Sequence, residues 1–297
     1  ILRGPGSVLY GDNAVGGVIN IITKKPEKTF SASAEGAVGS YHYNRESGSV
    51  SGTWGPLSAV LSAGYNGTDG YRDNGFLRTK DVGGQVSYDL NEDIRLNFSG
   101  NYHQDDTGLP GGLTQAQIFQ LGRRATVNPE DNAKTEDWYN VFGIKAKLGN
   151  LGRIEADLSY RSREVEDFFR SFTFEDKRNI ETWGFTPRYI LEKPLFSFPN
   201  KLIIGTDFYQ SDSTVFSESA FFGPNRLEII KETAGLYGLD QLSISDHLIF
   251  SLGGRYEWVT FDLSQDVPWA RDKTRDHEPA WQIGMDYLFD KKSSVFL

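Results

Sequence analysis

Cysteine is absent from the 297-residue sequence, and methionine occurs once, as Met285. The missing thiols exclude a disulfide scaffold, thiolate metal centres and a cysteine nucleophile. No apolar run approaches the roughly 18 residues of a transmembrane helix. Positive charge is in deficit as well: 31 Lys+Arg against 40 Asp+Glu leave −9 and a pI near 5.1. That balance argues against a nucleic-acid partner, because phosphate binding needs a concentrated excess of basic side chains. The four histidines, His42, His103, His247 and His277, stand singly, so no transition-metal site and no cofactor is expected. Neither an initiator Met nor a charged-then-apolar export signal precedes the chain at Ile1, and we read this absence as truncation.

Aromatic residues, by contrast, are plentiful. Six Trp, 14 Tyr and 20 Phe make 13% of a chain whose mean hydropathy is −0.45, a mixture suited to pleated, half-exposed surfaces. Helical periodicity is scarce and period-two alternation is widespread. Ile94, Leu96, Phe98 and Tyr102 alternate with Arg95, Asn97, Asn101 and His103; Ile154, Leu158 and Tyr160 alternate with Glu155, Asp157 and Arg161. Phe250, Leu252, Tyr256 and Trp258 alternate with Ser251, Arg255 and Glu257 in the same way. One face of each strand is apolar and the other can be charged.

Continuing along the chain predicts about thirteen strands, near 30–40, 43–54, 57–67, 80–90, 94–105, 137–148, 152–163, 179–191, 200–211, 230–242, 247–261, 279–289 and from Ser293 onward. Many reach ten residues, the length that crosses a bilayer at a tilt rather than the five or six of soluble sheets. Tight turns such as Trp54-Gly55-Pro56-Leu57 and Asn91-Glu92-Asp93 alternate with polar excursions at 67–79, 106–136, 164–178, 212–229 and 262–278. The stretch from Glu192 to Asn200, with Pro194 and Pro199, is longer than a turn. Short turns at one end and long loops at the other build bacterial outer-membrane barrels, and Trp54, Tyr65, Tyr88, Tyr102, Trp138, Tyr160, Trp183, Tyr189, Trp258 and Trp281 are placed to form their interfacial girdles. The competing architecture is a soluble β-sandwich or β-helix with the same aromatics as core. It does not account for charged residues on the inward alternates of so many long strands, which a wet barrel lumen accommodates.

The first 26 residues differ. Glycines at 4, 6, 11, 16 and 17 precede a β-branched run, Val18-Ile19-Asn20-Ile21-Ile22-Thr23. No Gly-Lys-Ser/Thr follows Gly11, so this is not a phosphate loop. The segment Arg3-Gly4-Pro5, the step Tyr10-Gly11 and the strand Gly16-Gly17-Val18-Ile19-Asn20-Ile21 together resemble the end of the plug domain of TonB-dependent outer-membrane receptors. A second stretch, Lys231 to Leu242 through Leu252-Gly253-Gly254-Arg255-Tyr256, is similar to a mid-barrel hairpin of that family, particularly of its iron-complex receptors. The resemblance implies an all-β fold: an antiparallel transmembrane β-barrel of about 22 strands in the bacterial outer membrane, plugged by an N-terminal domain. Residues 1–26 are then the end of the plug and residues 27–297 a partial barrel. The box that engages TonB lies outside this chain, which is expected to be a fragment.

By the same resemblance, Arg3 is the plug arginine that pairs with barrel-wall glutamates and latches the plug, a role suited to a bidentate guanidinium; a solvated turn arginine is the alternative. The partners implied are TonB, outer-membrane lipid and a scarce ligand, foremost a ferric siderophore, with cobalamin, copper or an oligosaccharide behind it. A passive porin or adhesin barrel is the reading of a different class, and the plug-like opening argues against it. Ligand recognition falls to the outer loops. Phe168, Phe169, Arg170 and Phe172, followed by Arg178, combine aromatic faces with guanidinium groups, as do Phe221, Phe222 and Arg226 together with Phe216. Such clusters suit an anionic, ring-bearing ferric complex; packing of the loops against each other is the alternative. Asp105, Asp106, Glu130, Asp131, Glu136 and Asp137 could offer oxygen ligands to calcium, but without EF-hand spacing they read as a solvated acidic loop. No enzyme is expected, since His103, Asp105 and Asp106 have no placed nucleophile.

Overall fold

In a computed structural model, the structure describes residues 2–3, 7–11, 17–18, 30–221, 223–289 and 294–296. Two short strands, β1 (Leu2–Arg3) and β2 (Gly17–Val18), pair antiparallel and bracket a one-turn helix, α1 (Ser7–Tyr10). The remaining strands are β3 (Ser31–Gly39), β4 (Tyr43–Trp54), β5 (Leu57–Thr68), β6 (Leu77–Asp89), β7 (Ile94–Gly108), β8 (Asn132–Lys147) and β9 (Arg153–Phe169). They continue with β10 (Phe174–Glu192), β11 (Asn200–Ser219), β12 (Gly223–Ser245), β13 (Leu248–Gln265), β14 (Ala270–Leu288) and β15 (Ser294–Phe296). These last make one antiparallel sheet of 13 strands, each hydrogen-bonded to its neighbours in sequence, with β3 and β15 at its edges. One short helix, α2 (Gln115–Leu121), interrupts the longest connection, started by a capping box in which Thr114 accepts from the Gln117 amide. Among the described residues no helix is long and apolar enough to cross a membrane.

The strand count agrees with the alternation, but three of the expected excursions do not. Residues 164–178, 212–229 and 262–278 are largely paired strand: β9 and β10 stay in register up to Phe169↔Phe174, β11 and β12 up to Ser219↔Gly223, and β13 and β14 up to Gln265↔Ala270. Alternation is visible only where one face meets hydrocarbon. Above the membrane both faces meet water, polar residues occupy both, and the ladder runs on without a hydropathy signature. There the ladder is laced by charge: Lys177 on β10 bridges Glu164 and Glu166 on β9. Likewise Asp105, Asp106, Glu136 and Asp137 belong to β7 and β8, leaving a true loop only from 109 to 131. The stretch after Glu192 folds back on itself through a Leu195↔Phe198 bridge, with Phe196 and Ser197 at positive φ.

Parity separates the faces as expected. On β13, Ser251, Arg255 and Glu257 are buried while Leu252 on the other side is 61% exposed. Tyr102–Trp138, Tyr160–Trp183 and Tyr256–Trp258 pair with ring centroids 4.4, 4.5 and 4.7 Å apart on the outward face. They form an aromatic belt over β7 to β10 and again at β13, at the level where the apolar stripe ends.

Candidate functional site

On the inward face of β11 to β13, Arg255 is the hub. Its Nη1 donates to Asp207 Oδ2 at 2.6 Å, and Nε and Nη2 donate to Glu257 Oε2 at 2.7 and 2.5 Å. The arginine side chain is 3% exposed, and the carboxylates are nearly as enclosed. Gly235 on β12 makes room for it, since a Cβ there would lie 2.3 Å from Nη2. One cation between two carboxylates leaves the cluster with net charge −1.

The N-terminal segment packs on this cluster. Val8 of α1 is 2% exposed and seats over Gly253, where a Cβ would lie 3.0 Å from Val8 Cγ1. Gly11 adopts φ +72°, and a Cβ on it would stand 3.2 Å from Arg255 Nη2 and 3.3 Å from Glu257 Oε2. Both the positive φ and the close approach require glycine. Beside this contact lies a polar cavity of about 550 Å³, whose wall includes Arg188, Tyr209, Lys231 and Tyr237. Arg188 donates to Glu155 Oε2 at 2.5 Å, and Arg153 links Glu155 to Glu192 at 3.1 Å on each side. Arg153, Glu155, Arg188 and Glu192 thus form one network and Asp207, Arg255 and Glu257 another, the arrangement that buried ions require.

Of the other plug-motif positions, Arg3 and Gly17 are backbone partners in the β1–β2 pair. The Arg3 and Tyr10 side chains, and Gly4, Pro5 and Gly16 entirely, lie outside the described residues. The boundary at 26/27 does so too.

At the external rim the two aromatic–arginine groups are neighbours. Phe168 and Phe169 end β9, Arg170–Phe172 form a single 3-10 turn, and the adjacent β11–β12 tip touches it through the Ala220 amide donating to Thr173 O at 3.2 Å. Arg170 Cζ and Lys134 Nζ lie 5.9 and 5.8 Å from the Phe168 ring centre, while Phe169 packs on Phe174 at 6.0 Å. Phe172 is 63% and Phe221 84% exposed. Phe222 lies outside the described residues. The arginines differ in their engagement: Arg178 is held by Asp167 and Asp176, and Arg226, on the outward parity of β12, lies 2.6 Å from Glu228. Arg170 has no carboxylate partner among the described residues.

The long loop 109–131 is clasped beneath this rim. Arg72 donates to the carbonyls of Pro110, Gly111 and Ala125, and Asn74 Nδ2 donates to those of Asn128 and Asp131, 2.7 Å each. Asp131 itself is fully buried, which corrects the solvated reading for this residue: the chain folds it inward to pin the hairpin tip. Among the described residues no three His, Asp or Glu converge as a metal site. Both ring nitrogens of His103 are taken by carboxylates, Asp81 at 2.7 Å and Asp105 at 3.1 Å, so neither is placed to activate a nucleophile. In the loop after β5, the Arg78 guanidinium and then His42 hold the Asp69 carboxyl below its ordinary range, and on the β9–β10 ladder Lys177 does the same to Glu166.

Alternation alone missed the Asp207–Arg255–Glu257 cluster. It places Arg255 and Glu257 in the lumen, but Asp207 stands 48 residues away and only the register of three strands unites them.

Outward side chains that meet hydrocarbon, an aromatic belt, a charged inward face and a segment of the N-terminal sequence packed on that face define part of an outer-membrane β-barrel. Residues 27–297 match the family described as TonB dependent receptor-like, beta-barrel, and the chain belongs to that family. Its members are transport receptors of the bacterial outer membrane. Among curated relatives, the iron-regulated outer membrane virulence protein of Vibrio cholerae is 33% identical over 144 residues, covering 44% of this chain and 21% of its own. The ferrichrome outer membrane transporter/phage receptor of Escherichia coli K12 is 22% identical over 98% of this chain and 48% of its own. The vitamin B12 transporter of Photobacterium profundum is 28% identical over 142 residues, 42% of this chain and 23% of its own. Among solved structures, the ferric citrate transporter FecA in its unliganded form superposes with a TM-score of 0.88 at 17% identity, covering this chain fully and 48% of its own, a likeness of fold. The chain thus spans about half the length, or less, of these proteins.

Proposed function

We propose that this chain forms the first half of the barrel, and the end of the plug, of a receptor that takes up a ferric siderophore with energy supplied through TonB. The observation that carries this reading is the pair of touching hairpin tips at the external rim. Phe168, Phe169, Phe172 and Phe221 offer ring faces around Arg170, whose charge no carboxylate of the described residues offsets. An anionic ferric complex with aromatic groups matches that surface through cation–π, stacking and charge. Relatives named for ferrichrome, ferripyoverdine and rhizobactin support an iron-complex ligand.

Below the rim, the net charge of −1 on Asp207, Arg255 and Glu257 favours a cationic group on the plug surface that faces it, and Arg3 is the candidate. Movement of that segment would then open the polar cavity beside Gly11 toward the lumen. Cobalamin is the second reading, favoured by the identity to the vitamin B12 transporter.

Growth of a deletion strain tests the choice. With siderophores supplied singly under iron limitation, the strain should lose growth on one of them and keep growth on limiting cobalamin. The reverse pattern would establish the second reading, and unimpaired growth on both would refute the first. Arg170→Ser together with Phe168, Phe169 and Phe172→Ser should weaken binding of that siderophore while the barrel keeps its heat-modifiable mobility.

A further inference from the structure

One carboxylate stands on the hydrocarbon side of the sheet. On β12, Tyr237 and Leu239 are buried on the inward face, so the alternates Leu236, Gly238, Asp240 and Leu242 point outward. Through the registers of β11 to β14, Asp240 shares an outward row with Leu202, Leu252 and Ile283, and the last two are open to the surroundings. Within β7 to β14 it is, among the described residues, the only Asp, Glu, Lys or Arg at an outward position between the aromatic belt and the short turns. Ionisable residues in that zone are costly and mark sites of function.

Asn200, the first residue of β11, donates Nδ2 to Asp240 Oδ1 at 2.7 Å and to Gln241 O at 3.2 Å. No basic side chain of the described residues pairs with the carboxylate, which can accept about four hydrogen bonds. Only Leu242 follows it outward before the register shifts at Ser243/Ser245, so at about 6.6 Å per alternate residue Asp240 lies on the order of 10 Å inside the end of the sheet that carries the short turns, the periplasmic end. Lipid headgroups and side chains meet at that depth. Beside it, the connection from β10 to β11 ends in an apolar tip: Leu195, Phe196 and Phe198 are all exposed, Phe196 at 85%. The Ser243 amide donates to Pro199 O at 2.9 Å and fixes this tip against β12. Phe196 adopts φ +50°, a conformation that a bulky residue keeps only where its surroundings hold it, here the Leu195↔Phe198 bridge.

We propose that Asp240 and Asn200 form a site for the primary ammonium of an aminophospholipid in the periplasmic leaflet, with the Leu195–Phe198 tip packed on the same lipid. Acyl chains offer the carboxylate no donor. A primary ammonium brings the opposite charge and three N–H groups, which fill the acceptor positions that Asn200 leaves open. A quaternary ammonium brings the charge without an N–H, and a glycerol headgroup leaves the lipid phosphate as an unbalanced like charge. The site therefore selects the amine.

The test uses the full-length receptor carrying this chain, in a neutral detergent, titrated with phosphatidylethanolamine and with phosphatidylcholine of the same acyl chains, which differ only in the methyl groups on nitrogen. The wild type should bind the ethanolamine lipid at least about tenfold more tightly. Asp240→Asn should abolish that preference, and Glu232→Gln, outward but above the belt, should leave it intact. Phe196→Ser should weaken both lipids alike; unchanged affinity for both would remove the tip from the site. Equal binding of the two lipids by the wild type would overturn the proposal without recourse to any variant. So would an Asp240→Asn receptor that folds by heat-modifiable mobility and keeps the preference. A wild type that shows no preference but dimerises, with the dimer lost in Asp240→Asn, would overturn it in favour of a basic side chain from a second copy.

Discussion

Asp131, with none of its surface exposed at the end of the longest external loop, accepts a hydrogen bond at 2.8 Å from the Ser171 amide, 40 residues further along the chain. Its other oxygen has no partner among the described residues. A buried carboxylate so held ties loop 109–131 to the β9–β10 tip on which the aromatic–arginine cluster sits, so the order of one depends on the other.

Replacing Asp131 with Ala should therefore loosen both. The Ser171 amide loses its acceptor, and because Ser171 is exposed and water can take the acceptor's place, the loss is about 0.5–1.5 kcal/mol. Faster amide exchange in 109–131 and at 170–173 should appear together. Asp131→Asn, which keeps an acceptor oxygen, should exchange more slowly than Asp131→Ala. Unchanged protection in both segments of Asp131→Ala would show that the Arg72 and Asn74 clasps suffice.

Arg255 provides a second expectation. Arg255→Met leaves Asp207 and Glu257 enclosed without their cation and should destabilise the barrel by about 3–5 kcal/mol in urea titrations of the receptor in lipid vesicles. Adding Asp207→Asn and Glu257→Gln should recover most of that loss. A triple variant as unstable as the single one would place the arginine's contribution in packing, for instance against Tyr237, whose ring centre is 5.7 Å away.

Face assignment is testable on two strands. Leu252→Arg sets a charge in hydrocarbon and should destabilise the folded receptor by about 2–4 kcal/mol near the midplane, whereas Asn101→Arg, on the lumen parity of β7, should fall within about 1 kcal/mol of wild type. Equal losses at the two sites would contradict the outward placement of Leu252.

The pH response of the loop between β5 and β6 follows from Asp69. Its carboxyl lies below the ordinary aspartate value of 3.8, first through Arg78 and then His42. A lowered folded-state value means that the contribution is complete above the ordinary value and is lost as pH falls through the lower one. Amide protection near 68–78 should thus persist at pH 5 and decline only below about pH 4. Asp69→Asn should remove this dependence; loss of protection already between pH 6 and 5 in the wild type would implicate another group.

Residue order alone determined the fold class, the number of strands, the parity of each face and the family, because hydrocarbon on one side and water on the other impose an alternation that survives as a pattern of letters. Leu252 outward and Arg255 inward are both legible in this way. The same physics explains where legibility stops: above the aromatic belt water bathes both faces, so 164–178, 212–229 and 262–278 read as loops although the ladder continues through them. Contacts between distant strands were beyond reach for another reason. Asp207 meets Arg255, Gly11 lies against Glu257 and Asp131 reaches Ser171 only after the register of several antiparallel pairs is set. Each of these bonds replaces water that a polar side chain would otherwise keep, so it forms only where the folded sheet has already excluded that water. Which carboxylate an arginine finds was therefore decided by the tertiary structure.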